Sequence, residues 1–276
     1  NVVIDELHYL TTFVLYKHLE RTAGIELRIA PQHEGVVPFD EFEKRVDKNT
    51  RLISVAWVSH QNGFRHHLKP LAQLAHAHGA YLYADAVQAM GMFPTDLHEE
   101  GVDFLTSGTY KWLLAGYGVA PFFVRRELLD KIPPDRLGAL HVEKELGDYR
   151  YRLYRTAKKY EYATLAFGPV YQLGAALDYL GRVGVERVEA HTVSLAQELR
   201  SELLGRGFGV WTPAGNRSSI VSFSHGRDPD TVRRLFEREE VVVSHREKGK
   251  QIRVGIALFN NAADVGRFLE VVDKLG

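Results

Sequence analysis

The chain has no cysteine. That excludes disulfides, thiolate metal sites and a cysteine nucleophile within these 276 residues. It also has no apolar run long enough to span a bilayer and no recognisable signal peptide, so no membrane association and a cytoplasmic location are expected. Charge of one sign is missing too: Lys+Arg and Asp+Glu stand at 35 each. No overall field therefore draws in nucleic acid, and no basic stripe with interleaved aromatics appears. There is no Walker A pattern, and "GRGFG" at 205–209 follows a helical stretch, the wrong context for a dinucleotide loop. His66, His67, His76 and His78 gather around one helix without a metal-binding spacing and read as structural.

What is present is an alternation. "NVVID", "IELRIA", "RLISVAWVS", "AYLYAD", "VDFLTSG" and "GVAPFFV" read as strands. "LTTFVLYKHLERTAG" and "LKPLAQLAHAHG" have helical spacing and end on Gly24 and Gly79. "DEFEKRV" has Asp40 and Glu43 at capping-box spacing, and "VQAMG" reads as helical. Strand–helix repetition with near-continuous apolar strands predicts an α/β fold: a mostly parallel sheet flanked by helices. After a charged, aromatic stretch from about 128 to 165, long helices and short strands predict a smaller α+β C-terminal unit. The expected domains are residues 1–168 and 169–276.

In open α/β sheets ligands bind beyond the carboxyl ends of the strands. Asp85 ends "AYLYAD", and Lys111 follows "VDFLTSG" in "TSGTYKWLLAGYG". A carboxylate and a lysine at one rim fit a stabilising ion pair. They also fit pyridoxal 5′-phosphate, which needs a Schiff-base lysine, an acidic partner for its ring nitrogen, and hydroxyls for its phosphate. Ser107, Thr109 and Tyr110 adjoin Lys111 and can supply those hydroxyls. The combination favours the cofactor.

"YLYADAVQAMGMFPTDLHEEGVDFLTSGTYKWLLAGYGV" and "QIRVGIALFNN" resemble the class V aminotransferase family of fold-type I pyridoxal-phosphate enzymes, which includes cysteine desulfurases, kynureninases and isopenicillin-N-epimerase-like proteins. The resemblance implies that Lys111 holds the cofactor and shuttles protons, Asp85 pairs with the pyridinium nitrogen, and Gln88 bonds the phenolic oxygen. It gives ring stacking to His8, with Tyr9 as the substitute, and phosphate contacts to Ser107, Tyr110 and Thr109. Arg253 would take the substrate carboxylate, and Thr164 would reach a partner subunit's phosphate, which implies a homodimer. His60 stands where relatives commonly have asparagine, and Ala163-Thr164 where they have Gly-Thr. Relatives also carry a further N-terminal segment with part of the phosphate loop, expected before Asn1. The implied activity is epimerase- or lyase-like on an amino acid or derivative, with aminotransferase and a non-catalytic relative as alternatives. Desulfurase activity is disfavoured, because no thiol is present to receive sulfur.

Overall fold

In the computed structural model, residues 1–275 are described, beginning with β1 (Val2–Asp5), α1 (Leu10–Ala23), β2 (Leu27–Ala30) and α2 (Phe39–Glu43). β3 (Leu52–Ala56), α3 (Leu68–Ala77), β4 (Tyr81–Asp85), β5 (Phe104–Thr106) and β6 (Phe122–Val124) follow. These strands form one sheet in the order β2-β1-β3-β4-β5-β6, parallel except for β6.

Alternation along the strands sorts the two faces. Val3, Ile53, Val55, Leu82, Ala84 and Leu105 pack with Leu68, Leu71 and Ala75 of α3 on one side. Val2, Ile4 and Ile29 pack with Tyr16 of α1 on the other. Successive strand residues face opposite ways, so a sheet covered on both sides needs apolar residues at consecutive positions. α1 stops where Gly24 takes a left-handed conformation, φ 67°.

The stretch from 128 to 165 runs over the surface and includes an exposed hairpin, β7 (Val142–Gly147) with β8 (Arg150–Leu153). Then come α4 (Phe167–Val183), α5 (Val185–Gly205), β9 (Gly209–Val210), β10 (Ile220–Ser224), α6 (Pro229–Arg238), β11 (Ser244–Arg246), β12 (Gln251–Gly255) and α7 (Ala262–Asp273). The antiparallel sheet β11-β12-β10-β9 is covered on one face by α5, α6 and α7. Its other face is turned toward the large sheet, whose core takes in Ile220.

Two local expectations fail. Asp40 forms no capping box: α2 begins at Phe39, after Pro38, two residues earlier than a cap by Asp40 requires, and no side chain caps it. "VQAMG" is a turn rather than a helix, because the chain reverses at Gly91, φ 90°. Of the four histidines, His76 bonds buried Asp103 at 2.8 Å and His78 bonds the Leu74 carbonyl at 3.0 Å. No helix is long and apolar enough to cross a membrane among the described residues.

Candidate active site

Beyond the carboxyl ends of β3 and β4, where the turn after β5 meets the small sheet, lies a cavity of about 340 Å³. Tyr9, Ala56, Val58, His60, Asp85, Val87, Gln88, Tyr110, Lys111, Arg246 and Arg253 line it.

Three turns bring these side chains together. The first follows β4. The Asp85 carboxylate accepts the Val87 N–H at 3.0 Å, which fixes the carboxylate at the start of the turn that carries Gln88. The second is the Lys111 turn, packed tightly on the first. A Cβ at Gly91 would lie 2.4 Å from the Trp112 carbonyl, so only glycine permits this approach. Trp112 then donates its indole N–H to Gln88 Oε1 at 2.8 Å. That bond leaves the amide nitrogen as the group Gln88 offers to the cavity. The third turn, 59–63, is clamped to the small sheet. The Ser218 hydroxyl and the Asn216 amide both donate to the Gly63 carbonyl at 2.7 Å. Arg253 Nη1 donates to the His60 carbonyl at 2.6 Å, and its Nη2 to Ser244 Oγ at 3.1 Å.

The electrostatics of the cavity are lopsided. Burial, then the charge of Arg253, pushes the Lys111 amine below the usual lysine range, while Asp85 pulls the other way. The result is an amine readier to act as a nucleophile. Burial and Arg246 hold Arg253 down to about 10. His60 is held down to about 4, by burial first and then by Arg246, Arg253 and Lys111. Its ring is neutral at pH 7, and its buried Nδ1 has no partner.

Of the residues singled out from sequence, Lys111, Asp85, Gln88, His60, Tyr110 and Arg253 meet at this cavity. Four do not. His8 is buried beside it, its Nδ1 accepting the Tyr9 N–H at 2.8 Å, and Tyr9 takes the lining position, edge-on to His60. Ser107 is buried with its hydroxyl on the Ala86 and Gly108 carbonyls, 3.2 and 3.1 Å. The Thr109 hydroxyl bonds the Gly116 and Val119 carbonyls, 2.6 and 3.1 Å, and so braces the loop. A hydroxyl has one proton to give, and in both residues backbone takes it. Thr164 is exposed and outside the cavity.

Sequence reasoning missed Arg246 and Trp112. For Arg246 a signal exists: "SHR" and "QIRVG" each place an arginine on short neighbouring strands, at positions that alternation turns to one face.

The Aminotransferase class-V family profile matches residues 1–268. An aminotransferase of Bacillus subtilis, named uncharacterized aminotransferase YcbU, is 27% identical over 245 residues, which is 88% of this chain and 65% of that protein. A probable cysteine desulfurase of Methanothermobacter thermautotrophicus is 25% identical over the whole chain and 74% of its own length. The chain thus spans about two thirds to three quarters of these relatives. The apo structure of a cysteine desulfurase from Thermococcus onnurineus NA1 superposes with a TM-score of 0.90 at 22% identity, covering 100% of this chain and 72% of that one. A cystine C-S lyase in complex with its product cysteine persulfide gives 0.90 at 16%, covering 99% and 74%. These structural likenesses establish a shared fold.

Proposed function

The chain belongs to the class-V aminotransferase family, and from that premise we propose that it is a pyridoxal-phosphate enzyme of the epimerase or lyase type acting on an amino acid or a derivative. The observation that carries this reading is the convergence of Lys111, Asp85, Gln88 and Arg253 on one cavity.

Pyridoxal 5′-phosphate is the cofactor of this family. The residues present fit it. The cavity volume falls within the range of small-molecule sites, roughly 300–1,000 Å³. Apolar Ala56, Val58 and Val87 line it beside the polar groups, and the unpartnered His60 Nδ1 awaits a hydrogen bond. When bound, the cofactor supplies a carbonyl that condenses with amines and an electron-poor ring that stabilises negative charge at the substrate's Cα. Lys111 Nζ would hold the cofactor through that carbonyl carbon and, with substrate bound, would carry the proton at Cα. Asp85 would hold a proton on the ring nitrogen. The Gln88 amide nitrogen, oriented by Trp112, donates to the phenolic oxygen, and neutral His60 adds a second polar contact at the cofactor. Tyr9 and Val87 would lie against the ring. Tyr110 would offer its hydroxyl to the phosphate, with Ser107 and Thr109 shaping the loop. Arg253 takes the α-carboxylate, its guanidinium already held by His60 and Ser244.

Exposed Phe167, Val170 and Tyr171 on α4, close in sequence to exposed Thr164, support a homodimer. Aminotransferase chemistry is the second reading, supported by the name of the Bacillus relative. Desulfuration is not proposed, since these residues include no thiol to accept sulfur.

The test is spectroscopic. Addition of pyridoxal phosphate to the purified protein is expected to give the visible band of lysine-bound cofactor, and Lys111→Ala removes it. A wild type without that band sinks the enzyme reading. An amino-acid panel in deuterated water follows. Exchange of the α-proton is expected for all three reactions, so the products separate them: an inverted Cα supports an epimerase, a 2-oxo acid formed with the amino group passed on supports an aminotransferase, and a fragment released from Cβ or Cγ supports a lyase.

A further inference from the structure

Arg253 is not the only guanidinium at the cavity. β11 and β12 are antiparallel neighbours, with Ser244 opposite Arg253 and Arg246 opposite Gln251. Side chains alternate along a strand, so Ser244, Arg246, Gln251 and Arg253 share one face. His245, Ile252 and Val254 take the other face, where Ile252 and Val254 join the helix-covered core and His245 meets the Phe236 ring edge-on. Arg246 and Arg253 are therefore diagonal neighbours, with backbones about 7–8 Å apart, and both line the cavity.

Their engagements differ. Arg253 is bonded to the His60 carbonyl and Ser244. Arg246 has a buried Nε with no hydrogen-bond partner, and no carboxylate of the described residues stands within ion-pair distance of it. The charged side chains lining the cavity are Lys111, Arg246, Arg253 and Asp85, three cations against one carboxylate. Glu247 lines only the adjoining cavity that Arg246 also borders. With Lys111 and Asp85 assigned to the cofactor, two guanidinium forks remain, and each suits a planar anionic oxygen group.

We propose that Arg246 is a specificity-determining residue that takes a second acidic group of the substrate. The preferred substrates are then amino acids with two carboxylates, the α-carboxylate on Arg253 and the side-chain carboxylate on Arg246. This rests on the pyridoxal-phosphate reading above. The cofactor's phosphate offers the same anionic oxygen chemistry. The substrate is the better match because Arg246 rises from the same strand ladder and the same face as Arg253, whereas Tyr110 and the loop before Lys111 approach from the large sheet.

The experiment uses cofactor-loaded full chain, reading the shift of the cofactor's visible band as amino acids bind. Wild type is expected to bind aspartate or glutamate at least about tenfold more tightly than asparagine or glutamine. Arg246→Gln is expected to erase that preference while the affinity for pyridoxal phosphate, titrated separately, stays unchanged. Arg246→Lys, which keeps the charge and loses the fork, keeps part of the preference. Equal binding of acids and amides by the wild type overturns the proposal. So does a variant that weakens cofactor binding and leaves the acid-to-amide ratio intact, since it assigns Arg246 to the phosphate. A wild type that forms no cofactor band refutes the enzyme reading, and this inference with it.

Discussion

Cations on the outer surface of this protein and cations in its cavity live under different rules. Outside, Arg28 reaches Glu26 and Asp47 at 2.7 and 2.8 Å, and Arg206 reaches Asp273 at 2.6 Å. Glu239 gathers Arg238, Arg267 and Lys274. Inside, Lys111, Arg246 and Arg253 surround a space lined by one carboxylate, Asp85. Water already solvates the outer charges, so pairing them gains little. The inner ones are part-buried without carboxylate partners, an arrangement that costs stability until an anion arrives. Binding and stability therefore pull in opposite directions at this cavity, and the strain eases when ligand enters.

The largest expected sign of this division is in pH dependence. His60 is held down to about 4 in the folded protein, from 6.5 for an ordinary histidine. As pH falls through that window the unfolded chain takes up the proton and the folded one resists, so stability is fully present above 6.5 and declines toward 4. The ion-paired carboxylates act lower. Glu41 and Glu239 run from 4.5 to about 2 and Asp47 from 3.8 to about 2, so what their pairing contributes is lost only there, discounted by solvent. Denaturant midpoints are expected to fall between pH 6.5 and 4.5, and His60→Asn flattens that limb. His245, also lowered by burial, keeps part of it. A limb of unchanged slope in the variant removes the cavity field as its cause.

Next in size is removal of a cavity charge. Lys111→Met keeps most of the side chain's length and deletes an amine whose charged form is disfavoured, by burial and then by Arg253. Its melting midpoint without ligand is expected to rise by about 2–4 °C, while cofactor capture is lost. A fall in thermal midpoint instead means that the Asp85 attraction outweighs burial and the arginines.

These contrasts were unevenly legible beforehand. Strands buried on both faces read as nearly unbroken apolar runs, which is why the α/β alternation was visible. Asp85 ends β4 and Lys111 follows β5, where chain order alone puts side chains at a rim. Arg246 left only a partial signal, an arginine in each of two short strands, because its diagonal placement beside Arg253 depends on cross-strand register. Trp112 was hidden because its partner, Gln88, lies 24 positions earlier. Ser107 and Thr109 misled for another reason: a hydroxyl's residue type does not say whether its proton goes to a ligand or to a backbone carbonyl. At Asp40 the spacing was right, and the helix still starts at Phe39, after Pro38, two residues too early for Asp40 to cap it.

The smallest effect belongs to the outer set. Arg206 closes α5 by bonding Glu202 one turn back and Asp273 on α7. Its geometry is better than that of any cavity cation, yet all three side chains face water. The Coulomb gain is offset by desolvation and by the entropy lost in fixing long side chains, and salt screens what remains. Arg206→Gln is therefore expected to move the melting midpoint by less than about 2 °C, and the shift shrinks further in high salt. Thermal unfolding at two ionic strengths measures this directly. A cost as large as the gain from Lys111→Met, and insensitive to salt, would put Arg206 in the same class as the cavity cations. Burial would then no longer be what separates them.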